Sequence, residues 1–148
     1  MSVALNTLSS VPAASTPSEA RGVLVEASAS KVVVSFPASD YQLHLAPERP
    51  VTSAVGKRVL GIIKGQARRI DALKSGGQFV EPVMGRPRIV QGRVVEVNAS
   101  ANGPGTVTVA CPMPIVLKVG ELQRAEQFKV GDLVTTHVLP GATFTPLG

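Results

Sequence analysis

Short runs in which apolar and polar residues alternate, separated by clusters of Gly, Pro, Ser and Asn, fill most of this chain. A period of two sends successive side chains to opposite faces, so the pattern predicts half-buried β-strands bounded by turns. Over 93–98, Val94, Glu96 and Asn98 fall on one face and Arg93, Val95 and Val97 on the other. Over 106–111 the alternation returns and groups Val107, Val109 and Cys111. Between them, Asn102-Gly103-Pro104-Gly105 has the chemistry of a turn. Pro112 and Pro114 then mark an edge or a bend, and Ile115–Val119 resumes the ladder. Only 121–128, from Glu121 to Phe128, strings good helix formers together, enough for one or two turns. Val130-Gly131-Asp132 turns the chain into a last strand, 133–139, which Pro140-Gly141 stops.

The order of these features repeats. Gly22-Val23-Leu24-Val25-Glu26-Ala27 matches Gly92-Arg93-Val94-Val95-Glu96-Val97, 70 residues later. After the extra turn at 102–105 the offset becomes 75, and Val32–Pro37 matches Val107–Pro112. Tyr41-x-Leu43-x-Leu45 matches Ile115-x-Leu117-x-Val119, and Val55-Gly56-Lys57-x-Val59 matches Val130-Gly131-Asp132-x-Val134. The expected fold is all-β: an internal duplication of two tandem small β-barrels, OB-like or SH3-like, with one short helix. The expected division is a flexible tail at 1–20, a first barrel at 21–70, a basic Gly/Pro-rich linker at 71–91 and a second barrel at 92–148. A single unit of this size has a thin core, so pairing of the units, or a homo-oligomer, is expected.

Composition narrows the chemistry. Hydrophobic residues make up 44% of the chain but aromatics only 3%, so Val, Leu, Ile and Ala must build the core. A single cysteine, Cys111, excludes an internal disulfide and a cysteine-based zinc site, and in its Val-rich strand it reads as a small buried hydrophobe. His44 and His137 sit in apolar runs without ligand spacing. Gly61-Ile-Ile-Lys64-Gly65 lacks the length and the Lys-Ser/Thr ending of a phosphate loop. Asp40, Asp71 and Asp132 are widely separated, and Glu26 and Glu96 read as strand residues in ion pairs or solvent. No enzyme activity, cofactor or metal is therefore expected. No apolar run reaches the ~18–20 residues of a membrane span, and Arg21 is the first positive charge, too late for a secretory leader. A cytoplasmic protein without membrane contact is the expectation.

Charge is uneven. The net +5 conceals nine basic against two acidic residues over 57–93, with six against eight elsewhere. Such a field steers an anionic partner to one region. Lys57, Arg58, Lys64, Arg68, Arg69, Lys74, Arg86 and Arg88 are the candidate anion-binding residues, and Arg86-x-Arg88 in an extended segment should aim two guanidiniums the same way. Phe36, Tyr41, Phe79, Phe128 and Phe144 mostly fall in core-like positions, so base stacking is not the expected mode. The sequence thus points to a non-enzymatic binding module contacting nucleic acid or another polyanion through its backbone. The competing expectation is a structural homo-oligomer whose arginines only solvate a linker.

The first strands at 22–27 and 92–97 and the final ones, Val55–Lys64 and Val130–Val134, resemble those of the molybdate-binding Mop/TOBE family of tandem small barrels. That resemblance implies trimeric assembly and small-oxyanion binding between subunits. The Ser-Ala-Arg-Asn opening before the first strand and the Thr-Lys-Glu/Ser stretch before the last turn are absent from both copies, so it assigns no ligand residues here.

Overall fold

The computed structural model describes residues 17–147, so the expected tail over 1–20 lies, up to residue 16, outside the described residues. Its architecture is all-β. In chain order the strands are β1 (Ala20–Ala27), β2 (Val32–Ser35), β3 (Gln42–Pro47), β4 (Arg58–Gln66), β5 (Asp71–Leu73), β6 (Phe79–Glu81), β7 (Met84–Gly85), β8 (Ile89–Ser100), β9 (Gly103–Ala110), β10 (Pro114–Lys118), β11 (Leu133–His137) and β12 (Thr143–Pro146). The segment expected to be helical makes a single 3-10 turn at Ala125–Gln127. The physical reason lies upstream of that turn: Gln123 spends its amide on the backbone of Ile70, accepting from its N–H and donating to its C=O, both at 2.8 Å.

Five strands close into a barrel. β1 pairs antiparallel with β2 and with β4, and β2 pairs antiparallel with β3. The ring is completed from the far end of the chain, because β12 runs antiparallel to β4 and parallel to β3. Alternation along each strand turns Leu24, Val34, Leu43, Leu45, Val59, Ile63 and Phe144 inward, all of them buried.

The remaining strands follow a related course. β8, β9 and β10 form an antiparallel meander, and β8 also pairs with β11. β10 runs parallel to the end of β4, and Ala67, just beyond β4, bridges to Val138, just beyond β11. Residues 71–91, expected as a linker, are woven into the sheet: β5 adds to β11, β6 to β8 and β7 to β3. Buried residues from 20 to 144 make one apolar cluster, dominated by valine as the composition requires.

Two local details recur. The β1–β2 register slips between Leu24 and Glu26, and the β8–β9 register slips where Val94 and Glu96 face Val109 and Thr108. Each slip is a bulge of one residue. Beside the first, Gly56 N–H donates to Leu24 O and Leu24 N–H to Lys57 O, at 2.7 and 3.0 Å. Beside the second, Gly131 N–H donates to Val94 O and Val94 N–H to Asp132 O, both at 2.8 Å. Gly56 and Gly131 have φ of +90° and +100°, a conformation that a side chain opposes.

Candidate functional site

The candidate site forms where β4 crosses from the closed barrel to the second half. Its alternation keeps Ile63 inward and Lys64 outward, opposite Thr143 of β12. On its opposite edge β4 passes from β1, paired up to Gly61, to β10, paired from Lys64. Val116 and Lys118 of β10 align with Lys64 and Gln66, which brings Lys118 to the crossover from a distant part of the sequence. Gln66 fixes the geometry: its Nε2 donates to Lys118 O at 3.0 Å and to Ala67 O at 2.9 Å. The chain then exposes Arg68 and Arg69 while Ala67 and Ile70 stay buried.

Two clefts meet here. A groove of about 870 Å³ is lined by Arg68, Arg69, Lys118, Leu122, Gln123 and Leu139 among others. An adjoining cleft of about 550 Å³ is lined by Lys64, Lys118, Glu48, Thr106 and Thr143. They share Gln66 and Lys118, so Lys64, Arg68, Arg69 and Lys118 edge two adjoining clefts, against Glu48 and Glu121. Concave walls of low dielectric concentrate such a field.

The ion pairs present neutralise only part of it. Lys64 Nζ lies 3.5 Å from Glu48 Oε1, and Arg69 Nε lies 3.1 Å from Asp71 Oδ1. Arg68 and Lys118 have no ion pair among the described residues. The Lys64–Glu48 and Arg69–Asp71 pairs are solvent-exposed, so each is weak. The hydroxyl of Thr145 donates to Glu48 and, with the nearby Lys64, holds the Glu48 pKa below the ordinary carboxylate value.

The other predicted residues are dispersed. Lys57 and Arg58 lie at the start of β4, about 20 Å along the strand from Lys64. Lys74 is exposed just beyond β5. Arg86 and Arg88 do not form the expected exposed pair: Arg86 is half-buried, its Nη1 enclosed without a hydrogen-bond partner, whereas Arg88 is exposed. Arg88 lies one strand from Arg68, since Arg88 O accepts from Val138 N–H at 2.8 Å and His137 O accepts from Arg68 N–H at 3.0 Å. Lys118 is the residue that sequence reasoning missed, because only the parallel β4–β10 pairing carries it to the crossover.

Other reactive groups lie apart from this groove. Cys111 is buried, donates its thiol to Met113 O at 3.2 Å, and has its pKa pushed up by burial. Glu26 pairs with Lys31 at 3.6 Å, and Glu96 accepts from the Thr108 hydroxyl at 3.3 Å. Among the described residues, no three His, Cys, Asp or Glu side chains gather as a metal-binding group, and no helix is long and apolar enough to cross a membrane. No protein-family model and no curated protein sequence matches this chain.

Proposed function

We propose that this protein is a non-enzymatic binding module that holds nucleic acid by its phosphate backbone across the β4 crossover. The observation that carries the reading is the pair of adjoining clefts edged by Lys64, Arg68, Arg69 and Lys118, two of them free of carboxylate partners among the described residues. Among the described residues no aromatic side chain lines either cleft, so contacts fall on phosphates and sequence preference is weak. The test is fluorescence anisotropy with labelled duplex and single-stranded DNA and RNA at low salt. Binding to at least one of them is expected, weakened about tenfold or more in Arg68→Ala/Lys118→Ala and unchanged in Lys57→Ala. No binding to any of these polymers sinks the proposal.

We also infer that the scaffold is an internal duplication of OB-like units, 21–70 and 92–148, whose last strands are exchanged. The matching bulges at Val25 and Val95 and the matching turns at Gly56 and Gly131 support this. So does the exchange itself: β12 lies parallel to β3 and antiparallel to β4, and the end of β4 lies parallel to β10 and is bridged to the end of β11. The registers equate Leu43, opposite Val34, with Ile115, opposite Val109. The third-strand match therefore shifts by two residues from the one that starts at Tyr41.

A further inference from the structure

A different cleft, on the outer face of the closed barrel, has the chemistry of a small-molecule site. β1 and β4 run antiparallel with Arg21 opposite Leu60 and Val23 opposite Arg58. Residues opposite one another, or two apart along a strand, share a face, so these four form one outward quartet with the arginines on a diagonal. Gly22 and Val59 between them are buried. A cleft of about 300 Å³ opens over the quartet, lined also by Gly22, Val59 and Pro37, with no acidic residue among the described residues.

Both guanidiniums are unspent. Arg49 donates to Pro146 O, Arg93 to Gly131 O, and Arg69 and Arg124 face carboxylates. Arg21 and Arg58 make no side-chain hydrogen bond and no ion pair among the described residues. Diagonal neighbours lie about 7–8 Å apart, a span from which two planar forks converge on one tetrahedral dianion. The frame alone does not produce this arrangement. On β8 and β11 the corresponding quartet is Gln91, Arg93, Leu133 and Thr135, where Gln91 donates to Gly77 O and Arg93 to Gly131 O.

We propose that this cleft binds a small phosphomonoester, its phosphate held between Arg21 and Arg58 and its apolar body resting on Val23, Leu60 and Pro37. A phosphate monoester carries about −1.5 to −2 at neutral pH, which matches two guanidiniums. The volume is at the lower limit of small-ligand clefts and its lining is mainly hydrocarbon, so the organic part is about the size of one ring. The site stands independently of the groove, since Arg58 lies about 20 Å along β4 from Lys64.

The experiment is calorimetric titration of the full chain with phenyl phosphate and with inorganic phosphate. One phenyl phosphate per chain is expected, bound several-fold more tightly than inorganic phosphate. Arg21→Gln and Arg58→Gln, which keep the stems and remove the charges, should each weaken it about tenfold or more. Arg68→Ala/Arg69→Ala should leave it unchanged, so the result stands whether or not nucleic acid binds. Both arginines are exposed, and circular dichroism checks that the variants keep the wild-type fold. The proposal is overturned by any of three results: no saturable binding of phenyl phosphate, an affinity that survives in the Arg21→Gln/Arg58→Gln double variant, or equal affinity for the two phosphates.

Discussion

At the crossover, the two halves of the molecule pack their strand ends with different pairs of residues. In the closed barrel Phe144 of β12 sits opposite Ile63, and its ring covers Gly61, where an added Cβ would come within 2.3 Å of the ring. In the other half Ala67 sits opposite Val138, and Thr136, two residues before Val138 as Gly61 is two before Ile63, keeps its side chain. Its hydroxyl donates to Arg69 O at 2.8 Å. A ring over a bare backbone and a methyl beside a threonine are two ways of satisfying close packing. What differs is the consequence for the surface. Thr136 anchors the backbone of Arg69, and the strand leaving Ala67 carries Arg68 and Arg69 into the groove, whereas the strand carrying Phe144 presents Thr143 and Thr145. The packing is balanced between the halves while the charge is not, and the proposed binding falls on the side where cations accumulate.

The largest expected effect breaks the packing side of this comparison. Phe144→Ala should destabilise the protein by about 3–5 kcal/mol in urea unfolding, and its loss of hydrogen-exchange protection should reach β3 and β4, the strands that β12 joins. Gly61→Ala should cost about 1–3 kcal/mol by overpacking against the same ring. Because the two residues share one space, the double variant should cost clearly less than the sum. Strict additivity would mean that the ring and the bare backbone are not a coupled pair.

A smaller effect sharpens the charge side. The Glu48 carboxylate is held below its ordinary pKa by Thr145 and Lys64, so its stabilising contribution is present above the ordinary carboxylate pKa and is lost as pH falls through the depressed one. A carboxyl resonance titrated by NMR should show this lowered midpoint, which returns toward the ordinary value in Lys64→Ala/Thr145→Val. Glu48→Gln frees Lys64 and should strengthen nucleic-acid binding a few-fold at low salt. Weaker binding by this variant would place Lys64 outside the contact.

Much of the frame is legible in the sequence, and the reasons are local. Alternation and turn chemistry mark the central parts of β8, β9, β10 and β11, because period-two patterning and Gly/Pro placement act within a few positions, but β8 begins four residues earlier than expected and Gly103–Gly105, expected as turn, open β9. Non-local pairing is not legible. Nothing in Thr143–Pro146 announces that it closes a barrel begun at Ala20, and nothing in Lys118 places it beside Gln66. The helix formers at 121–128 mislead because a tertiary bond, Gln123 to the Ile70 backbone, overrides propensity. Basic composition located the charge but not its partition. Lys64, Arg68 and Arg69 edge the two adjoining clefts, Arg86 is folded into the protein, and Arg58 shares an outer cleft with Arg21, which has no basic neighbours to draw attention to it.

The central claim, that the crossover groove holds a polyanion through its phosphates, is tested most directly by the salt dependence of nucleic-acid affinity. The logarithm of the binding constant should fall linearly with the logarithm of salt concentration, and Arg68→Ala/Arg69→Ala/Lys118→Ala should reduce the slope by about 2–3 while leaving the fold intact. An unchanged slope in that variant would contradict the account.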